Sequence, residues 1–249
     1  MVFGHSGHLG DVLYSLPAVK ILSGGDATLY VKRVFEDHNS SSLGNSDYNQ
    51  FDALKDLLLM QPYIKEVKPF IPADNDWAPM KWSGMKEKFI DLDLIRQLHV
   101  HIRRYNFHLE RYFLRFGINE DWRNSIPWLT VDNSPIEGDY AVFHVTDRWN
   151  SFSTDWGKVL LEARSQFDYL YFTGYELHHR EFESRFGSIN YLPTLNLLEL
   201  ARVIKGARRL YANQNCSVPI CQGLGMASKI HLARYFERTH AHTGLETLL

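Results

Sequence analysis

Cysteine is scarce in this chain of 249 residues, which holds just Cys216 and Cys221. Two cysteines are too few for a disulfide framework or a cysteine-based zinc site, so we expect a reducing, cytoplasmic setting. The sequence also has no run approaching 18 apolar residues and no charged-then-apolar leader before its first glycines, so we expect no transmembrane segment and at most peripheral membrane contact. The formal net charge is −2, which argues against a global basic field for nucleic acid.

One local stretch departs from this near-neutral composition. The segment "HVHIRRYNFHLERYFLR", residues 99–115, interleaves basic and aromatic side chains. Such a pattern is compatible with a grip on nucleic acid or another macromolecule, and the binding would then weaken steeply with salt. The sequence leaves this alternative open.

Apolar strand patterns and helix patterns alternate along the chain. In the first half we predict strands at 1–4, 27–34, 64–70 and 88–94, with helices at 11–22, up to about Met60 and at 105–116. Residues 119–139 are rich in turn formers and are predicted to be a linker. The alternation then resumes, with strands at 140–146, 169–174, 188–192, 208–213 and 229–236 separated by helices. Such alternation predicts an α/β fold of two domains with parallel sheets facing across a cleft, residues 1–135 and 136–249.

The first strand leads into the glycine-rich loop "GHSGHLGD", residues 4–11. It is not a P-loop, because no Gly-Lys-Ser/Thr follows, and the glycines at 4, 7 and 10 lack the Gly-x-Gly of a dinucleotide fingerprint. By spacing alone, the loop is either a tight turn in which Asp11 caps the next helix or a close approach to a ligand. His5 and His8 flank Asp11 and are either plain loop residues, acceptor contacts or residues that orient Asp11.

Two blocks of the sequence resemble family 9 glycosyltransferases, the heptosyltransferase-like enzymes. "HLGDVLYSLPAVKIL" is similar to their first strand-to-helix turn, and "YLYFTGYELHHREFESRFGSINYLPTLNLLELARVIKGARRLYANQN" is similar to their second half. The blocks cover roughly residues 1–22 and 140–236, in the same order as in the family. The resemblance implies a divergent, short member with a GT-B fold of two Rossmann-like domains. It further implies an acceptor site on the first domain, a nucleotide-sugar site on the second, and no metal or other cofactor.

The resemblance assigns the reaction to the first domain's glycine loop. Asp11 matches the family's general-base position, where a carboxylate deprotonates the attacking hydroxyl. The loop residues predicted to bind the acceptor are His5, Ser6, His8 and Gly10. We expect a metal-independent and inverting transfer, with a glycan or lipopolysaccharide-type acceptor.

The resemblance also assigns a donor site to the second domain. Arg148 is the nearest match to the family's phosphate-binding residue, and arginine suits a diphosphate, while the alternative is a surface residue that forms an ion pair. The remaining predicted donor contacts are Thr146, Gly174, Glu176, Asn213, Gln214, Asn215, Cys216 and Ser217. The stretch "ANQNCSVP" departs from the family's Asn-Asp-Ser/Thr-Gly, and the loss of the acidic residue puts an ADP-heptose donor in doubt. Glu176 also fits a solvated glutamate at a helix start.

Two rival functions follow from these departures. A non-catalytic relative would bind a sugar or nucleotide without turnover and would be indifferent to Asp11→Asn. A transferase acting on a macromolecule, such as modified DNA or protein, would use the basic stretch at 99–115. The His-x-His pairs at 99–101 and 240–242 lack a third ligand at a recognisable spacing, so we predict no metal site.

Overall fold

A computed structural model describes residues 1–32, 50–71, 82, 85–97, 107–146, 154–233 and 245–249. The described chain divides into two compact units, Met1–Thr130 and Val131–Leu249. Each unit is built on its own parallel sheet. Both sheets with their connecting helices confirm the predicted α/β fold class, and the division falls five residues before the predicted domain boundary.

The first unit has a four-stranded sheet in the order β3-β2-β1-β4, with every described pairing parallel. Its strands are β1 (Val2–His5), β2 (Ala27–Lys32), β3 (Ile64–Phe70) and β4 (Ile90–Asp91). Its helices are α1 (Leu9–Ser23), α2 (Gln50–Leu59) and α3 (Phe107–Arg115), with 3-10 turns at Leu92–Gln97 and Trp122–Ser125.

Helix α1 is buried along its length from Val12 to Val19, as expected of a helix enclosed by its unit. It ends at Gly24, whose φ of 62° is the left-handed conformation that glycine adopts most easily. Helix α3 buries Leu109, Tyr112 and Phe113. These three lie at helical spacing, so one face of α3 packs into the unit.

The second unit has a six-stranded sheet in the order β10-β9-β8-β5-β6-β7, again with parallel pairings. Its strands are β5 (Tyr140–His144), β6 (Tyr169–Phe172), β7 (Asn190–Tyr191), β8 (Arg209–Ala212), β9 (Ile230–Leu232) and β10 (Thr247–Leu248). Its helices are α4 (Trp156–Arg164), α5 (Glu176–Phe186), α6 (Leu197–Gly206) and α7 (Ser217–Gly223).

Central strand β5 is buried at all five positions, as a strand covered on both faces must be. Helix α6 begins where the sequence predicts, because Asn196 caps it by accepting a hydrogen bond from the Glu199 N–H at 3.0 Å. Strand β10 was not predicted. It pairs in parallel with β9.

Two further segments differ from the sequence predictions. The predicted strand at 88–94 is cut short because Asp91 Oδ1 accepts the Asp93 N–H at 2.9 Å, a local turn that leads into the 3-10 helix. The predicted linker at 119–139 is packed over its first half. Trp128 is 1% exposed, and its carbonyl accepts a hydrogen bond from Tyr63 Oη at 2.6 Å.

Candidate functional site

The strand order reverses once in each sheet. In the first unit β1 lies between β2 and β4, and in the second β5 lies between β6 and β8. Ligands of open α/β sheets bind beyond the carboxyl ends of the strands at such a reversal. The structure therefore offers one candidate site in each unit, at the ends of β1 and β4 and at the ends of β5 and β8.

The first site is framed by Asp93, which follows β4 and is fully buried. Its Oδ2 atom accepts the Ser6 N–H at 2.9 Å, so it joins the loop after β4 to the loop after β1. Two residues before Ser6, only a glycine fits at position 4, because a Cβ there would lie 2.8 Å from the rings of Phe89 and Trp82. At Gly4 the backbone therefore approaches aromatic side chains closely.

His5 lies beneath the loop and is 1% exposed. Its Nδ1 accepts the Gly7 N–H at 2.8 Å, which requires a lone pair there and puts the ring proton on Nε2. Nε2 then donates to Tyr112 Oη at 2.6 Å, and the Tyr112 hydroxyl donates to the Asp11 carbonyl at 3.1 Å. Of the roles predicted for His5, this geometry favours the orientation of Asp11 through Tyr112.

Asp11 lies in the first turn of α1, three residues after the helix N-cap, which is His8. Asp11 is therefore not the N-cap residue of α1, which the sequence analysis gave as one of its two roles. A carboxylate in this turn is favoured by the positive end of the helix dipole. Its side chain is 23% exposed, so Oδ atoms are accessible from solvent. Ser6 is half-buried, His8 is exposed, and Gly10 lies in the same helical turn.

Asn213 frames the second site and is fully buried after β8. Its Oδ1 accepts the Thr146 N–H at 3.1 Å and its Nδ2 donates to the Thr146 carbonyl at 2.7 Å. The loops after β8 and β5 are thus tied together by both ends of one amide. This bond has the same topological place as the Ser6–Asp93 bond in the first unit.

Asn215 continues the network. Its Nδ2 donates to Asn213 Oδ1 at 2.8 Å and to the His144 carbonyl at 2.7 Å. Its Oδ1 accepts the N–H and the hydroxyl of Ser217, at 2.9 and 2.6 Å. The structure therefore brings together four of the residues predicted to contact the donor, Thr146, Asn213, Asn215 and Ser217. Both asparagine amides are engaged in holding the turn.

Cys216 and Gln214 lie in the same turn and are partly exposed. Burial of the thiol raises the pKa of Cys216 to about 12, so it is a neutral thiol at physiological pH and not a nucleophilic thiolate. Gly174 follows β6 with φ of 117°, a conformation that other residues rarely adopt.

His144 lies directly against Gly174, since a Cβ on that glycine would be 3.6 Å from His144 Nε2. Burial, together with nearby His178, lowers the pKa of His144 to about 4, so the ring is neutral at physiological pH. The described residues of this turn, from His144 to Thr146 and from Asn213 to Ser217, therefore carry no positive charge at neutral pH. A diphosphate would need a cation from elsewhere, and Arg148 lies outside the described residues.

Glu176 is the first residue of α5 and is exposed. Its carboxylate forms an ion pair with Arg180 one turn later on the same helix. This arrangement agrees with the alternative prediction, in which Glu176 is a solvated residue at the start of a helix. It does not join the asparagine network.

Two other predicted features can be placed only in part. Residues 99–106 of the basic stretch lie outside the described chain, and the described remainder forms α3, which packs on α1. Among the described residues, no group of three or more His, Cys, Asp or Glu side chains is arranged to hold a metal ion. No helix in the described part of the chain is long and apolar enough to cross a membrane.

Tyr112, Asp93 and His108 are site residues that the sequence analysis missed. Tyr112 and His108 lie within a predicted helix, and nothing in the sequence indicates that this helix packs beside Asp11. Asp93 carries a usable signal, because the acids of "IDLD" lie near the end of a predicted strand, and strand ends are where such sheets bind ligands.

Comparison with solved structures gives full-length similarity at low sequence identity. A family 9 glycosyl transferase from Veillonella parvula DSM 2008 is 12% identical with a TM-score of 0.57, over 100% of this chain and 84% of that one. The fold is shared with family 9 glycosyltransferases. E. coli heptosyltransferase WaaC with ADP-2-deoxy-2-fluoro heptose is 13% identical with a TM-score of 0.58, over 100% of this chain and 92% of that one.

A third structure, E. coli ADP-heptose lipopolysaccharide heptosyltransferase II, is 11% identical with a TM-score of 0.56, over 100% of this chain and 89% of its own. No family model and no curated protein matches the sequence. The predicted resemblance is therefore confirmed at the level of the fold.

Proposed function

We propose that this protein is a metal-independent, inverting glycosyltransferase that moves a sugar from a nucleotide-sugar donor to an acceptor hydroxyl of a glycan or lipopolysaccharide type. The observation that supports the proposal is the fold similarity, over the whole of this chain, to glycosyltransferases, among them one solved with an ADP-sugar analogue. The position of Asp11, partly exposed in the first turn of the helix that follows β1, supports it.

In the proposed reaction, Asp11 takes the proton of the acceptor hydroxyl as its oxygen attacks the anomeric carbon. The bond from that carbon to the diphosphate oxygen breaks, and the nucleoside diphosphate leaves with the electron pair. One displacement inverts the anomeric configuration and needs only one carboxylate. Arg148 would stabilise the charge that develops on the diphosphate.

The second unit would hold the donor. The Asn213–Thr146 bridge keeps the loops after β5 and β8 at a fixed separation. Thr146 lies two residues before Arg148 in the sequence, so the bridge holds the start of the segment that carries Arg148. Cys216 stays a neutral thiol and so adds no negative charge to the turn.

Thermal-shift binding without metal tests the donor assignment, using ADP, GDP, UDP and CDP and their common sugar conjugates. One nucleotide at 100 times its Kd should stabilise the wild type by about 2.7 kcal/mol, a shift of about 5 to 10 °C. Arg148→Ala should abolish the shift. Arg208→Ala, an exposed arginine at the opposite edge of the same sheet, should leave it unchanged. No shift with any nucleotide would refute the donor site.

Turnover with the nucleotide sugar that binds then tests the base. Asp11→Asn should retain the thermal shift, because donor and base lie on different units, and should lower kcat by about 10²- to 10⁴-fold. An Asp11→Asn variant with the wild-type kcat would show that Asp11 is not the base. Binding of the nucleotide sugar without any turnover by the wild type would favour the non-catalytic alternative.

A further inference from the structure

His108 on α3 lies beside the carboxylate of Asp11 on α1. The distance from His108 Nε2 to Asp11 Oδ1 is 4.0 Å, and the two side chains are 22% and 23% exposed. At this distance an imidazolium and a carboxylate attract each other, although contact with solvent weakens the attraction. The pair is thus close enough for each group to influence the charge of the other.

The orientation of the His108 ring is set by its packing. The ring stacks on Tyr14 with centroids 5.5 Å apart and planes 12° apart, and Tyr14 itself is buried. Stacking on a buried ring restricts the plane of the imidazole, so Nε2 stays directed along the Asp11 side of α1.

Helix α3 also contacts Asp11 at its main chain. Tyr112 lies one turn after His108 on the same helix face and donates to the Asp11 carbonyl at 3.1 Å. A single helix thus contacts both the backbone and the side chain of the proposed base. A displacement of α3 would move both contacts together.

We propose that His108 is a positioning residue for Asp11, which keeps the carboxylate ionised and directed while it awaits the acceptor proton. The inference rests on the proposed function in taking Asp11 as the base. His108 does not touch the substrates in this role and exchanges no proton with them. Its effect on the reaction passes through Asp11.

Other charged or titratable groups belong to the elements packed against α3 and to α3 itself. Asp11 faces His108 from α1, where Tyr14 supplies the stacked ring. The remaining described groups on these elements are Lys20, Asp93, Arg123, Glu110, Arg111, Tyr112 and Arg115. His5 of β1 also contacts α3, through its hydrogen bond to Tyr112 Oη.

NMR of the full-length protein, isotopically labelled at histidine, tests the interaction of His108 with Asp11 without any substrate. The His108 signal is identified by its loss in His108→Gln. Its pKa should be about 1 unit higher in the wild type than in Asp11→Asn, because the carboxylate favours the imidazolium. His231, in the other unit, should titrate identically in both proteins and is the internal control. A His108 pKa that agrees within about 0.3 units between the two proteins would overturn the inference.

The reciprocal measurement covers the case in which Asp11→Asn fails to fold. The carboxyl-carbon titration of Asp11 should give a pKa in His108→Gln that is higher than in the wild type by the same amount, because the coupling is mutual. An unchanged Asp11 pKa would also overturn the inference.

The positioning role is read from kinetics. With the nucleotide sugar that stabilises the wild type, His108→Gln should lower kcat by about 10- to 100-fold with little change in KM, and should shift the acid limb of the kcat profile to higher pH. Arg115→Gln, exposed at the end of the same helix, should change neither. Coupled titrations with unchanged kcat would overturn the positioning role. If the pKa values of His108 and Asp11 depend on each other but the protein binds none of the nucleotide sugars, the proposed function would be refuted instead.

Discussion

Substitution of Asn213 tests the second site by its effect on stability. The side chain is fully buried and makes two bonds to the Thr146 backbone, at 3.1 and 2.7 Å, and one to Asn215 at 2.8 Å. Asn213→Ala leaves the N–H and the carbonyl of Thr146 without these partners. An unsatisfied buried polar group costs about 1 to 3 kcal/mol, and Thr146 is only half-buried, so water can recover part of the loss. We expect the free energy of unfolding to fall by about 2 to 3 kcal/mol.

Asn213→Asp separates the hydrogen-bonding account from a simple loss of volume. It retains the Oδ1 acceptor but replaces the Nδ2 donor with an oxygen facing the Thr146 carbonyl, formerly 2.7 Å from the nitrogen. A protonated carboxyl can still donate to that carbonyl, whereas a carboxylate cannot. The folded-state pKa of the new carboxyl should therefore lie above its unfolded value near 3.9, and stability should be lost as the pH rises through the folded pKa.

Urea unfolding at pH 5 and pH 8 measures both variants against the wild type, followed by fluorescence. Asn213→Asp should be destabilised more at pH 8 than at pH 5, by about 1 to 3 kcal/mol. Asn190→Ala, an exposed asparagine in the same unit, should differ from the wild type by less than about 0.5 kcal/mol. An Asn213→Asp variant as stable as the wild type at pH 8 would refute the bridge between the two loops.

Two further predictions concern the stability of the second unit. The pKa of His144 in the folded protein is lowered to about 4. As the pH falls below about 6.5, His144 therefore binds a proton in the unfolded protein before it does so in the folded protein. The free energy of unfolding should drop by about 3 kcal/mol between those values, and His144→Gln should flatten this dependence in urea titrations; an identical slope would exclude His144 as its source. Gly206→Ala should lower the Tm although alanine favours helices, because its Cβ would lie 2.4 Å from Ser134 Cβ and 2.5 Å from Tyr140 Oη. A raised Tm would show that the space is open.

The periodicity of the sequence was sufficient to predict most of the fold. Buried strands such as "YAVFH" and capped helices such as that begun by Asn196 are specified by neighbouring residues. The segment around Trp128 was wrongly predicted to be a linker, because it is rich in turn formers and the buried Trp128 lies among them. Strand β10 was missed because it is two residues long and exists through its pairing with β9.

The candidate site was predicted less completely than the fold. Asp11, Thr146 and Asn213 could be located because each follows a recognisable strand. His108 and Tyr112 could not, because their nearness to Asp11 depends on which helix packs on α1, a contact between residues about 100 positions apart. The resemblance could not replace that information, since its quoted blocks leave the middle of the chain uncovered.

The bond between Asp93 and Ser6 and the bond between Asn213 and Thr146 have the same place in their two sheets, but they differ in the charge that they present to a ligand. One topology is present twice, and the residue bridging its crevice is an acid in one unit and an amide in the other. A buried carboxylate repels a polyphosphate but tolerates the hydroxyls of a sugar, whereas an amide imposes no such charge barrier. The proposed donor site would therefore lie in the unit whose bridging residue carries an NH₂ group in place of a carboxylate oxygen.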